Sequence, residues 1–130
     1  MKIEKFEDLE VWKQSMKLAR AIYSEFYPVK DYGFKDQIQR ASVSVPSNIA
    51  EGNERQSNKE FIQFLFIAKS FCGELRTQIY LAIDLKYIEK KRGMELLESS
   101  RKISAMLYKL IKTRKKNFNA GLQSTVSGLH

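Results

Sequence analysis

The stretch SNKEFIQFLFIAKSFCGELRTQIYLAIDLKYI, residues 57–88, decides the fold. It opens on Ser57 with Glu60 three residues later, the S-x-x-E capping box that starts a helix. Phe61, Leu65, Ala68, Cys72, Leu75, Ile79 and Ala82 follow at spacings 4,3,4,3,4,3, a heptad seam. A second row reads Phe64, Ile67, Phe71, Glu74, Gln78, Leu81, Leu85, Ile88, and a third collects Ile62, Phe66, Tyr80, Ile83 and Tyr87. The spacing predicts one helix from Asn58 to Ile88, roughly 45 Å long at 1.5 Å per residue. A helix apolar on most of its circumference must meet neighbours on several sides.

Three more helical patterns flank it. The first runs from about Phe6 to Tyr27, with Leu9, Trp12, Met16, Ala19, Tyr23 and Phe26 as its apolar row, and Pro28–Gly33 reads as a loop. The next starts near Phe34, with the seam Phe34, Ile38, Ala41, Val45, Ile49 and a second row of Val43, Pro46 and Ala50; Gly52 and Asn53 end it. Pro46 removes the bond to the Ser42 carbonyl and crowds that turn. Because the spacing continues through it, a kinked helix is expected rather than a restart at Ser44 or Val45. The last pattern, about Arg92 to Lys115, has Leu96, Ser100, Ile103, Leu107 and Leu110 as its seam. The expected fold is all-α, an antiparallel up-and-down four-helix bundle over residues 1–116, with 117–130 a flexible tail. The rows Val43/Pro46/Ala50 and Ile62/Phe66/Ile83 exceed what three packing partners need, which predicts a homo-oligomer.

The 130 residues suffice for one domain, and 43% hydrophobic with 29% charged residues is globular composition. One Cys allows no disulfide within the chain, and MKIEKFEDLE resembles no signal or transit peptide. The cytoplasm is the expected location, without membrane partners. The net charge of +8 is segregated: residues 1–85 balance 12 bases with 12 acids, whereas residues 86–116 hold 11 bases and three acids. Lys102, Lys109, Lys112 and Lys116 share a helix face, and Arg101, Arg114 and Lys115 lie beside them. Such a field attracts phosphate polymers or an acidic partner; its plain alternative is a solubilising face.

Catalysis finds little footing. The one His, His130, has no Glu three residues before it, and Cys72 sits in the heptad seam as a small buried hydrophobe. Glu51, Glu54, Glu60 and Glu74 could hold magnesium. Solvation or pairing with Arg55 explains Glu51 and Glu54 better, capping explains Glu60, and a partner inside the bundle explains Glu74. No cofactor and no enzyme activity are expected. Arg40, Ser44, Ser47 and Glu51 form a polar row on the second helix, leading to Asn48 and Arg55, and suit a close helix approach better than a ligand site.

Phe6-Glu-Asp-Leu-Glu-Val-Trp12, then Arg40-Ala-Ser-Val-Ser-Val-Pro-Ser-Asn-Ile-Ala-Glu-Gly52, then Lys59-Glu-Phe61 through Glu74-Leu-Arg-Thr-Gln78 resemble the 23S rRNA intervening sequence proteins. The resemblance spans roughly residues 4–112, and its most specific part holds Arg40, Ser44, Pro46, Asn48, Glu51 and Gly52. It implies an antiparallel four-helix bundle, pentameric assembly and a bacterial source, and it carries over no catalytic residue. Relatives that accompany the reverse transcriptases of diversity-generating retroelements imply RNA, or a nucleic-acid-handling enzyme, as partner. Ser70-Phe71 departs from the Gly-Ser of many members, which implies different local packing. Three functions stay open: an oligomeric RNA-binding scaffold, a protein-binding adaptor, and a metal-dependent nuclease built on the helix-two carboxylates.

Overall fold

The computed structural model describes residues 5–128, with side chains described for residues 5–117. A 3₁₀ turn, Phe6–Asp8, leads into four helices: α1 (Glu10–Phe26), α2 (Tyr32–Asn53), α3 (Asn58–Asp84) and α4 (Lys90–Gly128). No strand occurs among the described residues.

Local chemistry sets the boundaries. α2 starts at Tyr32, two residues before the expected Phe34, because Asp31 caps it: its Oδ1 accepts from the Phe34 amide at 3.2 Å. The helix then runs unbroken through Pro46, so no new helix begins there. α3 opens as its capping box predicts, with Ser57 Oγ accepting from the Glu60 amide at 3.1 Å. It closes at Asp84, four residues short of Ile88. Lys86 takes the left-handed conformation at φ 61°, its amide donates to the Ile83 carbonyl, and the Tyr87 amide donates to the Ala82 carbonyl. This is a Schellman closure with lysine where glycine is usual, so the sequence carried no stop signal. α4 continues past Lys115 to Gly128, and residues 117–128, expected as a separate tail, have helical backbone. No proline interrupts that segment, and Ala120, Leu122 and Gln123 are good helix formers.

Side-chain pairings fix the relative directions. Asn58 at the start of α3 donates to the Arg114 carbonyl in the second half of α4, whereas Ile83 at the other end of α3 packs on Gly93 near the start of α4. α3 and α4 therefore run in opposite directions. Gly52 meets Phe61 and Phe64 while Phe34 stacks edge-on against Tyr87, so α2 also opposes α3. Arg92 Nε donates to Glu25 Oε1 at 2.7 Å, joining the end of α1 to the start of α4.

The heptad seam of α3 is buried along its whole length, Phe61 to Ala82. Ile38, Ala41, Val45 and Ile49 of α2 and Leu96, Leu97, Ile103, Leu107 and Ile111 of α4 complete most of the core. α1 corrects the reading of its sequence. Leu9, Ala19 and Phe26 of the expected row are buried, but the row that joins them inside is Val11, Ser15, Leu18 and Ile22, and Trp12, Met16 and Tyr23 are turned outward. Ser15 can sit there because its hydroxyl donates to the Val11 carbonyl at 2.6 Å, leaving nothing unsatisfied. Ile62 and Ile83, expected to lack intrachain partners, pack against the core.

Candidate nucleic-acid interface

The basic residues after position 85 do not form one patch. Lys86, Lys90, Lys91 and Arg92 lie where α3 turns into α4, while Lys109–Lys116 lie some 30 Å away along the helix at 1.5 Å per residue. Glu95 and Glu98 stand between them and pair with Arg92 and Arg101 at 3.6 and 3.7 Å.

The distant group is the concentrated one. Lys109, Lys112 and Lys116 surround a shallow depression of about 460 Å³ lined also by Tyr108 and Thr113. Lys112 Nζ lies 5.6 Å from the centroid of the Tyr108 ring, and Lys115 Nζ lies 5.0 Å from that of Phe66. Among the described residues no carboxylate pairs with Lys109, Lys112, Lys115 or Lys116 within 4 Å. Their charge thus faces solvent uncancelled, on the helix face that the spacing of 3 and 4 predicts.

The other candidate cations are placed differently. Lys102 lines a cleft between α1 and α4 with Glu10, Gln14 and Lys17, beside the lysine group rather than within it. Arg101 donates from Nη2 to the Tyr80 hydroxyl at 2.6 Å. Arg114 is half-buried with its guanidinium 5.1 Å from the Phe61 ring centroid, holding α4 onto the start of α3. Tyr108 and Phe66, missed as partners of the lysines, were signalled in part: Tyr108 and Lys112 stand at i,i+4. The Phe66–Lys115 approach depends on tertiary packing and has no local signature.

The motif residues of α2 have local structural work. Arg40 pairs with Asp36 at 3.2 Å on an open surface, and Arg55 pairs with Glu51 at 2.9 Å. Ser44 Oγ donates to the Arg40 carbonyl and Asn48 Nδ2 to the Ser44 carbonyl, both within the helix. Gly52 is buried against α3, and Pro46 is buried beside α1.

His130 lies outside the described residues. Cys72 is fully buried, and burial pushes its thiol up although hydrogen bonds from Ser104 and Ser100 and the charge of Arg76 oppose the rise. Arg76 Nη1 donates to Ser100 Oγ and Ser104 Oγ at 3.2 and 2.9 Å, and Ser100 Oγ donates to the Cys72 carbonyl. These groups tie α3 to α4. Among the described residues no three His, Cys, Asp or Glu side chains are grouped to hold a metal ion, and Glu74 is exposed rather than held inside the bundle.

The outward turn of Trp12, Met16 and Tyr23 has a consequence. Phe6, Trp12, Met16 and Tyr23 meet Val43, Pro46 and Ala50 across an open apolar groove of about 540 Å³. On α3 and at its C-cap, Ile67, Leu81 and Leu85 are also more than 40% exposed. Among the described residues no helix is long and apolar enough to cross a membrane.

The sequence model described as 23S rRNA-intervening sequence protein matches residues 7–109. No functionally curated protein matches the chain. Among solved structures, the fold is similar to that of a protein of unknown function from the S23 ribosomal protein family of Bacteroides thetaiotaomicron. It is 27% identical at a TM-score of 0.72, covering 78% of this chain and 95% of its own.

Proposed function

Because the chain belongs to the 23S rRNA-intervening sequence protein family, we propose that it is a non-enzymatic, homo-oligomeric RNA-binding protein of the cytoplasm. It holds RNA by its phosphates at the far half of α4. The observation that carries this reading is the cluster of Lys109, Lys112 and Lys116 around Tyr108, with no carboxylate paired to it among the described residues. Lysine is a flexible point charge suited to neutralising a backbone, and such contacts position nucleic acid without reading its sequence.

Assembly multiplies the effect. The groove between α1 and α2 and the exposed Ile67, Leu81 and Leu85 support burial against further copies. Five subunits are the assembly that the family resemblance implies. Several lysine clusters on one particle engage a single long RNA with the gain of multivalency. Salt titration of binding to two unrelated RNAs tests the proposal, since displaced counterions make phosphate binding fall steeply with salt. Salt-insensitive capture of one protein that survives nuclease treatment would replace it with the adaptor reading.

A further inference from the structure

Resting on the RNA reading above, we propose that Tyr80 and Phe66 of α3 with Tyr108 of α4 form a stacking strip for unpaired RNA bases along the side where these two helices meet. The three rings are 46%, 54% and 43% exposed, and each stands beside a cation of α4. Arg101 reaches the Tyr80 hydroxyl at 2.6 Å, Lys112 lies 5.6 Å from the Tyr108 centroid, and Lys115 lies 5.0 Å from that of Phe66. Arg101, Tyr108 and Lys115 recur every seven residues and so share one face of α4. The stations therefore follow one another at about 10 Å, and the strip is about 21 Å long at 1.5 Å per residue.

Open rings beside a cation also occur at the turn between α1 and α2, where Lys35 serves both Tyr27 and Tyr32, but those two share one lysine and form no row along a helix. Two further pairs lie closed in helix seams. Phe61 is only 5% exposed beneath Arg114, and Phe64 is half-buried beside Arg55, where α2 meets α3. The strip rings instead keep much of their surface open. A lysine over an exposed ring is weakly held, so it can swing to a phosphate while a base takes its place on the ring. Lys112 belongs both to the strip and to the phosphate-binding cluster, which lets one strand meet both. Duplex RNA keeps its bases stacked inside the helix and shows mainly phosphates, 2′-hydroxyls and shape; only a single strand has base faces to offer.

The test is fluorescence anisotropy of the full chain with oligoadenylate, oligouridylate and a duplex RNA of the same length, at one salt concentration. Phe66→Leu, Tyr80→Leu and Tyr108→Leu keep apolar bulk and every lysine but remove the π-faces, and circular dichroism checks that the helices persist. The wild type is expected to prefer the single strands, with each substitution weakening oligoadenylate binding about tenfold and leaving duplex binding within about twofold. As a second readout, 2-aminopurine placed in the strand should lose emission on binding the wild type and recover it with the variants. Equal losses for duplex and single strand, no loss at all, or a fall in particle mass marking the strip as a subunit contact would each overturn the strip. Wild type that binds duplex alone overturns the strip and spares the phosphate reading; wild type that binds neither overturns both.

Discussion

A methyl group placed on Gly52 would lie 2.6 Å from Cβ of Phe64, nearer than two carbons can stand. That atom is rooted in the α3 backbone, so rotating a side chain gives no relief and the two helices must separate. Overpacking of this kind costs about 1–3 kcal/mol, against which alanine regains up to about 1 kcal/mol of helix propensity. Gly52→Ala should lower stability by about 1–2 kcal/mol in denaturant unfolding at fixed protein concentration. Gly73 is the control: its nearest neighbour would stand 4.0 Å away, so Gly73→Ala should gain about 0.5–1 kcal/mol.

Lys86 offers the opposite experiment. Its φ of 61° strains any residue with a Cβ, by about 1–2 kcal/mol for the left-handed conformation. Glycine there trades that strain against a more flexible unfolded chain. Lys86→Gly should raise the denaturation midpoint, and Lys86→Val should lower it. Equal midpoints for the two would contradict the Schellman assignment.

The phenol of Tyr87 donates to Asp31 Oδ2 at 2.9 Å, linking the turn after α3 to the cap of α2. The hydrogen bond to Asp31 pushes the phenol up from its ordinary value of 10.0. A folded-state pKa above the unfolded one gives stabilisation that is full below about pH 10 and is lost as pH climbs through the raised value. The stability difference between wild type and Tyr87→Phe should therefore be constant at neutral pH and shrink in alkali. A difference that widens with pH would refute the contact.

The apolar groove between α1 and α2 predicts particle mass. Light scattering of the purified chain should give several times 15.2 kDa. Val43 and Tyr23, 39% and 45% exposed on the rim, are the places to break it. Val43→Asp with Tyr23→Asp should reduce the mass towards one subunit while helix content holds. A wild-type monomer at micromolar concentration would contradict the burial argument.

The sequence revealed what depends on one helix and concealed what depends on two. The α3 seam was legible because, of its three apolar rows, it alone keeps seven apolar residues in unbroken heptad order, and all seven are buried. α1 was not, because it carries two apolar rows one position apart. Only the fit against α2 and α4 chooses Val11–Leu18–Ile22 over Trp12–Met16–Tyr23. Gly93, packed against Ile83, and the Arg76 bridge to Ser100 and Ser104 carry no local signature, since their partners lie 10 to 28 residues away. In the candidate site, the spacing of Lys109, Lys112 and Lys116 was readable. The approach of Arg114 to the Phe61 ring was not readable, because proximity in sequence to the lysines says nothing of a ring on another helix.

The most direct measurement of the central claim is the slope of log affinity against log salt for RNA binding, in wild type and in Lys109→Gln/Lys112→Gln/Lys116→Gln. Each phosphate contact on a single strand adds about 0.7 to the slope. The account predicts affinity that falls steeply between about 50 and 200 mM salt and a slope about two units shallower per engaged subunit in the variant, equally for unrelated RNA sequences. Binding indifferent to both salt and the three substitutions would contradict it, leaving these lysines as a solubilising surface.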